Sequence, residues 1–113
     1  MVTLIIKNLK EVELPYRQQV EEIILEKYDF FQNLFKKYSK DLTMEVIFNR
    51  SSSTYKVSAS IDLKSKKVLI AEENRDPIRA VTKLMNEFKR AVKRQYELER
   101  KDYEYKRKNR KKK

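Results

Sequence analysis

Hydrophobic positions along this chain switch between two periods, and the switches mark its elements. Val2-Thr3-Leu4-Ile5-Ile6 is a β-branched, mostly apolar run and predicts a first strand. Leu14-Pro15 then opens a helix, with proline suited to its first turn. Tyr16, Val20, Ile23, Ile24, Phe31, Leu34, Phe35 and Tyr38 follow at spacings of three and four, one buried helical face that Ser39 to Asp41 brings to an end. In Leu42–Phe48 the period becomes two, with Leu42, Met44, Val46 and Phe48 on one side. Asn49–Thr54, with three consecutive serines, predicts a polar loop. Tyr55, Val57, Ala59, Ile61 and Leu63 then alternate with polar residues, the pattern of a strand wet on one face and dry on the other. Ser65-Lys66 predicts a tight turn and Lys67–Ala71 the next strand. Asp76-Pro77 pairs a helix cap with a favoured first helical residue. Val81, Leu84, Met85, Phe88, Val92 and Gln95 share one face of this second helix, and the stripe fades beyond Tyr96.

The predicted order is strand, helix, three antiparallel strands, helix: an α+β fold, β-α-β-β-β-α, in which two helices cover one face of a four-stranded sheet. Residues 1–100 make one domain. Residues 101–113 make a basic tail, and Lys106–Lys113, seven basic residues and Asn109, predict a segment disordered when free.

Composition narrows the chemistry. A chain of 113 residues, 40% hydrophobic, fits a single core. It has no cysteine, so neither a disulfide nor thiolate chemistry, which fits a cytoplasmic setting. No apolar run approaches the roughly 20 residues that span a bilayer, and the first residues lack the basic segment and cleavage site of a signal peptide. Without histidine there is no ready proton shuttle near neutral pH, and without glycine no phosphate-cradling loop of the Walker or Rossmann kind. No metal or cofactor is expected, and no enzyme.

Charge says more. From Lys83 to Lys113 there are 14 basic against 5 acidic residues, a net of +9, while residues 1–82 carry 14 against 12, a net of +2. With Val81 at the centre of the buried stripe and about 100° per residue, Arg79, Lys83, Arg90 and Arg94 fall near the opposite side, and Lys89, Lys93 and Arg100 on one flank. The result is a cationic ridge about 20 Å long, interrupted by Glu87 and Glu97. Lysine and arginine also serve as ordinary solvated helix residues. A solvated face normally mixes signs, however, and a surplus of +9 at one end points to a polyanion. Lys56 and Lys64 on the wet sheet face extend the basic surface, and Glu45 and Asp62 dilute it. Phe30 lies off the buried stripe and, with Leu25, marks an apolar patch or a loop contact. Tyr103 and Tyr105 in the tail suit either base stacking or packing on the domain.

Three strings, in order and at matching spacing, resemble the ribosome hibernation-promoting factor family, also called protein Y or ribosome-associated translation inhibitors. They are Arg17-Gln18-Gln19-Val20-Glu21-Glu22, the run Ala71–Val81 with its acidic turn and Asp76 helix start, and Phe88-Lys89-Arg90-Ala91-Val92-Lys93-Arg94. The resemblance covers about residues 2–100. It implies a fold related in shape to double-stranded-RNA-binding domains. It also implies binding in the decoding channel of the small ribosomal subunit, with contacts to ribosomal RNA that exclude messenger and transfer RNA and silence idle ribosomes. Arg90 and Arg94 match basic positions of the family's second helix, and Arg17 matches one in its first. Ile23 and Glu87 stand where lysine is common, and Ser65-Lys66 replaces the usual glycine turn. The chain resembles the short form of the family, without the dimerisation domain of the long form; separately, the sequence pattern shows no exposed apolar strand, which predicts a monomer.

The candidate RNA-binding set is thus Arg17, Arg79, Lys83, Lys89, Arg90, Lys93, Arg94 and Arg100. Two other readings stay open: a general double-stranded-RNA-binding protein, and a basic protein-interaction module. The first calls for cations at the start of the last helix, where Asp76-Pro77-Ile78 offers little.

Overall fold

A computed structural model of the chain builds β1 (Val2–Lys7), α1 (Leu14–Leu34), β2 (Leu42–Ser51), β3 (Thr54–Asp62), β4 (Lys67–Asn74) and α2 (Pro77–Lys111). The structure describes residues 1–111, with side chains through Lys101. The strands lie in the order β1-β2-β3-β4. β2, β3 and β4 pair antiparallel through short turns, and β1 pairs parallel with β2, with α1 supplying the crossover that a parallel pair needs. The fold is the α+β arrangement that the periodicity predicts.

The core lies between the sheet and the two helices. Leu42, Met44, Val46 and Phe48 of β2 and Tyr55, Val57, Ala59 and Ile61 of β3 are buried on one sheet face. They share a cluster with Val20, Ile24 and Phe31 of α1 and with Val81, Leu84, Met85, Phe88 and Val92 of α2. Aromatic rings bind the helices to each other. Phe31 meets Phe88 edge-on at 5.5 Å, and Phe35 lies 5.1 Å from Tyr96. The opposite sheet face is open, and the register aligns Ile5, Glu45, Ser60 and Leu69 across it.

Some boundaries move. α1 closes at Leu34 rather than near Ser39, yet the stretch after it still faces the core. Phe35 is buried, and the Tyr38 N–H donates to the Phe35 carbonyl at 3.0 Å in a tighter turn. Apolar residues at helical spacing therefore continue past the end of the helix. The loop expected over Asn49–Thr54 shrinks to Ser52-Ser53, because Asn49, Arg50 and Ser51 pair with Lys56, Tyr55 and Thr54. Ser52 takes the left-handed φ of 55° that the two-residue turn demands. β4 likewise runs on to Asn74, past Ala71. A short 3-10 turn, Leu9–Glu11, follows β1, entered through Asn8 at a φ of 63°. α2 carries through to Lys111 and so takes in most of the basic tail, while Lys112 and Lys113 lie outside the described residues.

Candidate nucleic-acid interface

The interface candidate is the outer surface of α2. Its start is fixed as the sequence suggests: Asp76 Oδ1 accepts hydrogen bonds from the N–H groups of Ile78 at 2.9 Å and Arg79 at 3.4 Å. Val81, Leu84, Met85, Phe88 and Val92 hold the inner face in the core, which turns Arg79, Lys83, Arg90 and Arg94 to solvent. Lys101 is exposed too, seven residues beyond Arg94, and extends the row. The heptad spacing carries that signal, although the candidate set stops at Arg100.

Few of these cations are spent within the molecule. Arg79 and Lys83 lie 3.8 Å from Asp76 and Glu72 respectively, loose ion pairs on exposed side chains that add little stability. Among the described residues no carboxylate forms an ion pair with Lys89, Arg90, Lys93 or Arg94. The carboxylates nearby are instead drawn inward. Glu87 lies beside Glu72, and this acidic neighbour, helped by burial, holds the Glu72 carboxyl above its ordinary range. Glu99 accepts from the Tyr38 hydroxyl and, at 2.7 Å, from Ser65 Oγ. Of the two expected interruptions of the ridge, Glu97 is exposed and Glu87 half-buried.

Apart from Arg79 and Lys83 beside Asp76 and Glu72, the candidate set separates into three places. Arg90 and Arg94 border a groove beside β4, where Lys66 and Lys67 stand on the other side. Lys89 and Lys93 lie on the α1 flank, with Lys89 Nζ 4.2 Å and Lys93 Nζ 6.0 Å from the centre of the Phe30 ring. The off-stripe phenylalanine is therefore neither a free patch nor a loop contact but a platform for two lysines. Arg100 lies 5.8 Å over the Tyr96 ring on the same flank. Arg17 stands apart on α1. Its Nε donates to the Val12 carbonyl at 2.7 Å and its Nη2 to the Lys10 carbonyl at 2.8 Å, so its guanidinium braces the turn after β1. Linear spacing hid Lys66 and Lys67, because a strand-turn lysine joins the α2 row only once β4 is laid beside the helix.

On the open sheet face Lys56 is exposed, while Lys64 turns back over the Tyr38 ring and bonds Ser39 Oγ. Lys7 pairs with Glu45 at 3.3 Å and Lys40 with Asp62 at 3.8 Å, so charge on this face is largely balanced. The side chains of Tyr103 and Tyr105 lie outside the described ones.

Beyond Tyr96 the helix is held by a polar clamp. Glu99 is bonded to Tyr38 and Ser65, Ser65 accepts from Gln95 Nε2 at 2.8 Å, and the Lys64 N–H donates to the Tyr38 hydroxyl oxygen at 2.9 Å. Burial first, and then the bond to Glu99, push the Tyr38 phenol up to about 12. A phenol held neutral in the folded state contributes stability that is complete below its ordinary value near 10 and is lost as pH rises through about 12. An absorbance titration of the seven tyrosines is expected to show one ionising late, and Glu99→Gln is expected to bring it back toward the others.

Among the described residues no helix is long and apolar enough to cross a membrane, and no group of three acidic side chains is placed to hold a metal ion.

Two solved structures share this arrangement. One is the protein Y N-terminal domain of Thermus thermophilus, with a TM-score of 0.55 and 20% identity over 83% of this chain and 98% of that domain. The chain has the protein Y fold. The other is a ribosomal subunit interface protein from Coxiella burnetii, with a TM-score of 0.55 and 18% identity over 84% of this chain and 97% of that protein. No protein-family model matches the sequence, and no curated protein is similar enough to match. The expected resemblance is thus met in three dimensions, at identities that speak for the fold alone.

Proposed function

We propose that this protein binds the small ribosomal subunit in the channel used by messenger and transfer RNA and silences translation by filling that space. The observation that carries the reading is the α2 surface: cations aligned along one helix, most of them without a carboxylate partner among the described residues, on the fold of a protein Y domain. The Coxiella relative, a ribosomal subunit interface protein, supports the choice of a ribosome over other polyanions. The mechanism is occlusion in place of catalysis. The ridge supplies affinity through phosphate contacts, and the shape of the channel supplies specificity.

In this reading Arg90 and Arg94 grip phosphates of ribosomal RNA. Arg79, Lys83, Lys89, Lys93, Arg100 and Lys101 add contacts on either side. Arg17 contributes by bracing the fold. The protein acts as a cytoplasmic monomer without a cofactor, in cells whose ribosomes stand idle under stress.

The reading is tested by co-sedimentation of the protein with small subunits across a salt series. Releasing counterions from about five phosphates makes affinity fall a hundredfold or more between about 50 and 200 mM salt. Plain duplex RNA is expected to bind more weakly than the subunit at every salt concentration. Equal binding to both would favour a general RNA binder, and pelleting indifferent to salt would count against phosphate contacts altogether.

A further inference from the structure

β4 is an edge of the sheet, so alternate backbone N–H and C=O groups along Lys67–Asn74 face outward with no strand to pair. Between this edge and α2 lies a groove of about 650 Å³. Two of its apolar residues are open to solvent, Leu69 61% and Leu98 49% exposed, while Val68 is buried and Ile70 and Ala91 are half-buried. Its cations are Lys66, Lys67, Arg90 and Arg94. Against these four it holds one carboxylate, Glu87, so its charge is net positive.

We propose that this groove docks an extended acidic segment of a partner protein, which adds to β4 as a fifth strand. Such a segment satisfies the edge in both directions, donating to its carbonyls and accepting from its N–H groups. Side chains alternate along a strand, so one set of the segment's residues meets the α2 wall at Arg90, Arg94 and Leu98. The other set lies beside Lys67 and Leu69 on the open sheet face. A sequence that alternates aspartate or glutamate with aliphatic residues sets its acids against Arg90 and Arg94 on the α2 wall and its aliphatic side chains beside Leu69 on the sheet face.

Charge decides among the possible occupants. A second copy of this chain fits poorly: each carries +11, and joining two β4 edges would bring Arg90 and Arg94 of both copies to one seam. A phosphodiester fits poorly as well. Its oxygens accept hydrogen bonds but donate none to the edge carbonyls, and it would set charge against Leu69 and Leu98. The proposal goes beyond ribosome binding and is separable from it, because Leu69 and Leu98 have no part in gripping phosphates.

The test is an amide NMR titration of the full chain with a capped peptide of about eight residues, alternating aspartate and valine, the length of β4. Resonances of Lys67–Asn74 and of Arg90–Leu98 are expected to shift together. The same composition rearranged into an aspartate block and a valine block is expected to bind about tenfold more weakly, since the blocks cannot serve both walls. Leu69→Ser/Leu98→Ser, at two exposed positions that leave the core intact, is expected to weaken the alternating peptide to a similar degree and to keep small-subunit co-sedimentation. Three results would overturn the proposal: equal affinity for the alternating and block peptides, β4 shifts that grow with protein concentration alone, or β4 shifts produced by oligouridylate and not by the peptide.

Discussion

Replacing Arg90 and Arg94 together by glutamate is expected to abolish co-sedimentation with the small ribosomal subunit. The two side chains stand one turn apart on the solvent face of α2, and neither is tied to a carboxylate among the described residues. Each exchange removes a positive charge and adds a negative one, which takes the net charge from +11 to +7. Two phosphate contacts are lost and two repulsions gained at the centre of the row. The expected loss is about a thousandfold or more in affinity at low salt, with a salt dependence shallower by about two contacts. Both residues are exposed, so the fold is expected to survive, as an unchanged circular dichroism spectrum would verify. The comparison that gives the experiment its edge is Arg17→Ala. That change loosens the turn after β1, where the guanidinium bonds two carbonyls, and leaves the α2 row whole. Subunit binding lost in the Arg17 variant but kept in the double glutamate variant would reverse the assignment.

Phe31→Ala is expected to be the most damaging single change to the fold. Its ring is fully buried and lies among Phe30, Phe35 and Phe88, with Phe88 edge-on at 5.5 Å. Truncation forfeits the transfer of a whole aromatic side chain and leaves a cavity between α1 and α2 that the surrounding elements can fill only in part. The cost is about 3–5 kcal/mol, a large share of the 5–15 kcal/mol typical of a domain. A denaturant titration reads this as a lower midpoint with little change in slope. The functional consequence is indirect but specific. α2 is anchored to the domain through this contact and its neighbours, so the cationic row loses its fixed orientation as the domain opens. A midpoint shift of less than about 1 kcal/mol would mean that the two helices do not depend on this junction.

Much of the scaffold was legible in the sequence because periodicity is a direct imprint of burial. The alternation from Tyr55 to Leu63 could be satisfied only by a strand with one dry face, and the spacing of Val81, Leu84, Met85, Phe88 and Val92 only by a helix with one buried stripe. Asp76-Pro77 marked the start of α2 to the residue. Where strand residues are polar on both faces the signal disappears: Asn49, Arg50 and Ser51 pair fully with β3 yet read as loop. Where a tight turn keeps helical spacing the signal misleads, as from Phe35 to Tyr38.

The site was legible in part. The direction of Arg90 and Arg94 followed from geometry on a single helix. The roles of other residues depend on what lies across from them, and one helix cannot report that. Phe30 became a seat for Lys89 and Lys93 only when α1 was laid against α2. Arg17 matched a family string, but it turned out to be bonded to its own backbone. Lys66 and Lys67 looked like turn and strand residues until the sheet edge placed them opposite Arg90 and Arg94.

The most direct test is electron microscopy of small subunits mixed with the protein at low salt. Density for the β-α-β-β-β-α domain inside the messenger and transfer RNA channel, with the outer face of α2 against ribosomal RNA and Arg90 and Arg94 at phosphates, is the expected result. A domain bound elsewhere on the subunit, or seated in the channel with α2 turned toward solvent, would contradict the account.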